Sequence, residues 1–115
     1  MSNTSRGLEA ERQAATFLEN LGMRILERRY RCRLGEIDLV AKDGETVVFV
    51  EVKARRSLAF GLPEEAVGFA KQRRLARAAE AYLALRGLDA SPARFDVVAI
   101  TPAGIRHLAD AFRAS

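Results

Sequence analysis

Two short runs, Gly35-Glu36-Ile37-Asp38-Leu39-Val40 and Phe49-Val50-Glu51-Val52-Lys53-Ala54-Arg55, set acids and a lysine into segments that otherwise read as core. The second continues a stretch from Val47 with the β-branched and aromatic density of a largely buried strand. Burying an unpaired carboxylate or ammonium there costs on the order of several kcal/mol. Asp38, Glu51 and Lys53 therefore need a partner or a task. Two carboxylates can hold a Mg²⁺ ion that keeps several of its waters, and a lysine beside them can orient water or stabilise developing charge. That combination suits hydrolysis of a phosphodiester.

Strand periodicity brings the three together. Successive residues point to opposite faces, so Glu51 and Lys53 share a face with Val47 and Phe49, while Val48, Val50 and Val52 line the other. In the preceding strand Glu36 and Asp38 share a face, with Ile37 and Leu39 opposite. Asp43-Gly44 is a hairpin signal, so the strands pair antiparallel and Asp38 and Glu51 converge, with Lys53 beside them. A one-residue slip of register would undo this convergence.

The remaining elements frame that hairpin. A helix is expected from about Gly7 to Leu21, with Leu8, Ala15 and Leu18 on its apolar stripe and Gly22 as its stop. Glu11 falls on the same stripe, as a further carboxylate for the site or as a partner for a nearby arginine. Met23 to Leu34 reads as a strand with Leu26, Tyr30, Cys32 and Leu34 on one face and Arg29, Arg31 and Arg33 on the other. Strands follow over Glu36–Ala41 and Thr46–Ala54, then a loop over Ser57–Pro63. A second helix opens at Pro63-Glu64-Glu65 and runs to about Arg86, with an interruption at Gly68 and an apolar side of Leu75, Ala78, Ala79, Tyr82 and Leu85. A strand over Phe95–Ile100, a short one over Ile105–Leu108 and a weakly ordered tail from Ala109 complete the chain. The order predicts an α/β fold with a central mixed sheet flanked by helices.

At 115 residues the chain reads as one domain spanning residues 1–115, and 49% apolar with 30% charged residues suits a folded protein. One cysteine, Cys32, excludes an internal disulfide, and one histidine, His107, leaves no zinc site of usual spacing. Both read as structural, as do Tyr30 and Tyr82. No apolar run reaches the roughly 20 residues of a membrane span and no secretory signal is visible, which makes the cytoplasm the expected location. The net charge is +4. Its arginines and lysines cluster at Arg28–Arg33, Lys53–Arg56 and Lys71–Arg77, which points to a phosphate-rich partner or to a solvated surface.

A helix glutamate, then an aspartate, then Glu-x-Lys across two strands resembles the PD-(D/E)xK nuclease superfamily, on its Holliday-junction-resolvase-like branch. Nearly the whole chain resembles the YraN family of small bacterial proteins. The matching positions are Gly7, Glu11, Ala14, Leu18 and Gly22; the runs Gly35–Val40 and Phe49–Lys53 with Arg55; then Gly61, Pro63, Lys71 and Arg94–Val98. The resemblance implies a restriction-endonuclease-like three-layer fold. It also implies Glu11, Asp38 and Glu51 as acidic metal-site residues and Lys53 as the catalytic lysine. Ile37 departs from the proline of the superfamily pattern, and Ala10 from a glycine usual before the helix glutamate.

Two functions follow as expectations. One is a Mg²⁺- or Mn²⁺-dependent endonuclease acting on DNA, branched or structured DNA included. In it Glu11, Asp38, Glu51 and Lys53 act on a backbone held by Arg29, Arg31, Arg33, Arg55, Arg56, Lys71 and Arg74. The other is a nucleic-acid-binding or assembly module whose acidic set does not turn over. Glu36 fits a salt bridge to an arginine better than ligation, and Asp96 reads as a partly buried partner for the neighbours of Arg94, not as a catalytic acid. Schiff-base chemistry at Lys53 has no accompanying pocket or cofactor motif. Junction-cleaving enzymes work as dimers, so a homodimer is expected by analogy.

Overall fold

Period-two patterning becomes five strands, and helical spacing two helices, in the computed structural model, which describes residues 3–55 and 67–113. The order is α1 (Asn3–Asn20), β1 (Arg24–Cys32), β2 (Gly35–Asp43), β3 (Thr46–Ala54), α2 (Phe69–Leu85), β4 (Ala93–Thr101) and β5 (Gly104–Phe112). The strands form one mixed sheet in the order β1-β2-β3-β4-β5. β1, β2 and β3 meander antiparallel, β4 lies parallel to β3, and β5 returns antiparallel. A parallel neighbour requires a crossover, and α2 lies in that connection.

Gly44 makes the expected β2–β3 hairpin. It adopts φ +60° in a two-residue loop closed by Asp43 opposite Thr46, the left-handed geometry that such loops ask of their first residue. α1 stops where Gly22 reaches φ +96°, with the Gly22 and Met23 amides bonding back to Glu19 and Leu18, a Schellman ending.

The alternation of β3 separates two cores. Val47 and Phe49 join Leu75, Ala78, Ala79 and Tyr82 of α2, whereas Val48 and Val50 join Ala14, Ala15 and Leu18 of α1. The helices therefore cover opposite faces of the sheet. A strand apolar on both faces specifies its register weakly by hydrophobicity alone. Here Glu51 and Lys53 supply the missing constraint, because a slip by one residue would turn both toward the α1 core.

Several boundaries differ from expectation. α1 begins at Asn3, and its contact with the sheet runs through Ala10, Ala14, Ala15 and Leu18, leaving Leu8 46% exposed. Gly68 does not interrupt α2 but caps it in an extended conformation; the expected loop and the Pro63-Glu64-Glu65 opening lie outside the described residues. Leu34 sits in the β1–β2 turn and is exposed. β5 extends to Phe112, where its ring stacks on Phe95 at 4.9 Å, four residues beyond the expected end. Ile37 and Leu39, expected on one face, enter opposite cores. The break falls where Arg29 takes φ +53°, between the pairs Arg28–Leu39 and Tyr30–Ile37; that backbone state, rare outside glycine, turns the local pleat.

Candidate functional site

The sheet forks at its centre. β2 and β3 pair from Asp43–Thr46 as far as Leu39–Val50. Beyond that point β2 continues on β1 to Gly35, and β3 continues on β4 to Ala54. Extending the register by one sets Asp38 against Glu51 at the crotch of the fork. The Val52 amide, which has no carbonyl of β2 to meet there, donates to Asp38 Oδ2 at 2.8 Å. A cleft of about 400 Å³ opens between the two branches and the two helices, lined by Glu11, Arg29, Asp38, Glu51, Lys71 and Arg74 among others.

Glu51 is 6% exposed, and two ammonium groups share its Oε1: Lys71 Nζ at 2.5 Å and Lys53 Nζ at 3.5 Å. Burial lowers the Lys53 ammonium below the ordinary lysine value against the pull of Glu51. At Lys71 burial acts in the same downward direction, but the hydrogen bond and charge of Glu51 outweigh it and raise the group. Burial, reinforced by the Glu51 charge, pushes the Asp38 carboxyl up to about 7 despite the Val52 hydrogen bond. A carboxyl shifted by desolvation and a specific charged neighbour inside a cleft is a functional-site signature.

Glu11 reaches the cleft from α1, as its place on the apolar stripe predicts. Burial raises its carboxyl, and Arg29 opposes that shift with Nε 3.5 Å away. Arg29 Nε is itself buried and makes no hydrogen bond among the described residues. Glu36 lies 3.5 Å from Arg31 and 3.9 Å from Arg29, the salt-bridging role read from sequence. Glu11 thus lines the cleft and pairs with Arg29 in one arrangement.

The cations expected to hold nucleic acid divide into groups. Lys71 and Arg74, three residues apart on α2, both line the cleft. Lys71 belongs to the acidic set itself, which strand periodicity had no means of revealing. Arg31, Arg33 and Arg55 are exposed. They lie at the end of the sheet where β1 and β3 finish and β2 begins, which is the cleft end. Arg56 lies outside the described residues. Among the described residues no three acidic, histidine or cysteine side chains converge as a metal-binding group. Asp38 and Glu51 are thus a pair of carboxyls in the cleft whose mutual repulsion helps raise Asp38.

Asp96 is apart from this set. It is fully buried and accepts from Arg94 Nε at 3.0 Å and the Asp110 amide at 3.0 Å, with His107 Nε2 at 2.7 Å. Arg94 continues to Asp43 at 3.2 Å. His107 sits edge-on to Phe17 of α1, 5.9 Å between ring centres. Arg94 holds the carboxylate from within β4, while His107 and the Asp110 amide bind it from β5, so Asp96 ties the two strands together.

The profile of the uncharacterised protein family UPF0102 matches residues 10–100, from the turn of α1 that carries Glu11 to the end of β4. The chain belongs to this family. A UPF0102 protein of Syntrophus aciditrophicus (strain SB) is 53% identical over 106 residues, covering 90% of this chain and 84% of the relative. One from Geobacter sulfurreducens is 47% identical over 115 residues, covering 96% and 90%. One from Symbiobacterium thermophilum is 55% identical over 96 residues, covering 84% and 81%. The YraN-like reading of the sequence agrees with this membership, and the UPF0102 match contains the whole acid–lysine set. Among the described residues no helix is long and apolar enough to cross a membrane.

Proposed function

We propose that the cleft hydrolyses phosphodiester bonds in DNA with a Mg²⁺ or Mn²⁺ ion, on a fold of the restriction-endonuclease-like type. The observation that carries this reading is the convergence of Asp38 and Glu51 on one cleft at the fork, with Lys53 3.5 Å from Glu51. Asp38 and Glu51 would hold the ion and Glu11 would assist from α1; a bound divalent ion supplies Lewis-acid stabilisation of phosphate charge and a more acidic water. Glu51 orients Lys53. Lys53, with its ammonium destabilised by burial, is suited to exchanging a proton with an attacking water or to stabilising charge on the phosphate. Arg74 and Lys71 line the path of the backbone, and the exposed Arg31, Arg33 and Arg55 extend it around the rim.

One observation favours a second reading, a binding or assembly module that does not turn over. Lys71 at 2.5 Å neutralises Glu51 from within the chain, so the buried carboxylate is compensated without an ion. A cleavage panel over duplex, single-stranded, flapped and four-way-junction DNA with Mg²⁺ and Mn²⁺ separates the two. Purified Glu51→Gln and Lys53→Ala, with circular dichroism matching the parent, are each expected to lose cleavage by about a hundredfold or more. Parent-like cleavage by both variants, or none by the parent on any substrate, would remove the catalytic reading.

A further inference from the structure

α2 presents a second basic surface, distinct in its lining from the cleft. A groove of about 460 Å³ runs along it, lined by Phe69, Gln72, Arg73, Arg77 and, from the end of β5, Arg113. Phe69 is 82% exposed, which leaves nearly its whole ring facing solvent at the head of the groove. Arg73 and Arg77 are exposed and have no ion-pair partner among the described residues. Among the described residues Arg113 pairs with Asp110 alone, at 3.0 Å. Among the described residues Glu80 contributes the one acid to the lining.

The spacing is regular. Phe69, Arg73 and Arg77 follow one another at four-residue intervals, so they form a single row about 6 Å apart along the helix axis. An aromatic face followed by evenly spaced guanidinium groups is the chemistry that single-stranded nucleic acid meets: a base stacks, and successive phosphates are neutralised. A duplex does not suit the ring, because paired bases offer no free face to an isolated side chain. An acidic peptide would satisfy the arginines but leave the exposed ring without a function. Arg74, adjacent to Arg73 in the helix, lines the cleft instead, so cationic groups continue over α2 from one surface to the other.

We propose that this groove binds a single nucleic-acid strand, with a base stacked on Phe69 and phosphates held by Arg73, Arg77 and Arg113. The proposal deepens the reading of the cleft, because a strand leaving the cleft past Arg74 reaches the groove directly. The favoured substrate class is then DNA that carries a single-stranded arm. Binding itself requires no turnover.

The test is fluorescence anisotropy of a short dye-labelled oligothymidine in EDTA, over a salt series, with the full chain. Phe69→Ala is expected to weaken binding about tenfold, the loss typical of one stacked base. Arg73→Ala with Arg77→Ala is expected to reduce the salt slope by about 1.4, two single-strand phosphate contacts. Arg24→Ala, an exposed cation on β1 outside the groove, serves as the charge control and is expected to leave stacking intact. Parent-like affinity in Phe69→Ala overturns the proposal. So does equal competition by poly-glutamate, or equal binding of a blunt duplex through the same residues. Because divalent ions are absent, strand binding without cleavage would retire only the catalytic reading of the cleft, and cleavage without strand binding only the groove.

Discussion

An Asp38 carboxyl held at about 7 keeps a proton that the unfolded chain releases near its ordinary value of 3.8. Between those two values the folded state binds more protons than the unfolded one, so stability falls as pH rises through the window. The penalty is absent below the lower value and fully expressed above the upper. Asparagine can still accept the Val52 hydrogen bond but carries no charge. Asp38→Asn is therefore expected to be more stable than the parent by on the order of 2 kcal/mol at about pH 8, and equal to it at about pH 3.5. Urea unfolding across that range checks this; a gain that does not vary with pH would show that the charge is not the source of the cost. The full shift is shared with Glu51, whose charge helps to produce it, so the gain from one substitution is smaller than the shift alone implies. Under the proposed function this cost is the ordinary trade between activity and folding. Excess Mg²⁺ bound by the pair would narrow the difference between parent and variant.

The elements show which parts of this arrangement a sequence can disclose. Asp43-Gly44 and the period of two were enough to set Asp38 against Glu51, because hairpin register depends on local turn chemistry. Glu11 was legible because an acid on an apolar helical stripe contradicts its surroundings. Lys71 was legible only as one cation among several, since its contact with Glu51 depends on where a crossover helix lands. The reversal at Ile37 was hidden because it depends on a left-handed Arg29 in the neighbouring strand, and arginine gives no local sign of that conformation. Asp96 looked like a partly buried partner of its neighbours, yet it proved to be the tie between β4 and β5, reaching His107 and the Asp110 amide. Asp96→Ala leaves Arg94, His107 and a backbone N–H without their shared acceptor, and is expected to cost about 3–5 kcal/mol. Asp96→Asn, retaining one acceptor, is expected to cost less. Equilibrium denaturation of the two variants would show the order, and an alanine variant as stable as the parent would remove the tie from the account.

For the whole molecule, the topology decides where charge accumulates. Antiparallel pairing brings the ends of β1 and β3 and the start of β2 to one end of the sheet, and with them Arg31, Arg33 and Arg55, while Lys71 and Arg74 line the cleft that opens there. A net charge of +4 is modest, and for the DNA substrate proposed above the cations at this end would act as a steering field. If duplex DNA enters by this end, Arg33→Ala with Arg55→Ala is expected to reduce the slope of log K against log salt by about 1.8, close to one counterion per lost phosphate contact. An unchanged slope would direct attention to another surface. The fork has one more consequence. Because the Val52 amide donates to a carboxylate and not to a neighbouring carbonyl, its proton resonance is expected to move downfield when Asp38 ionises and to shift again when a cation competes for the same oxygens. In nitrogen-15-labelled protein a single correlation peak would thus follow the occupancy of the cleft without any attached fluorophore or spin label.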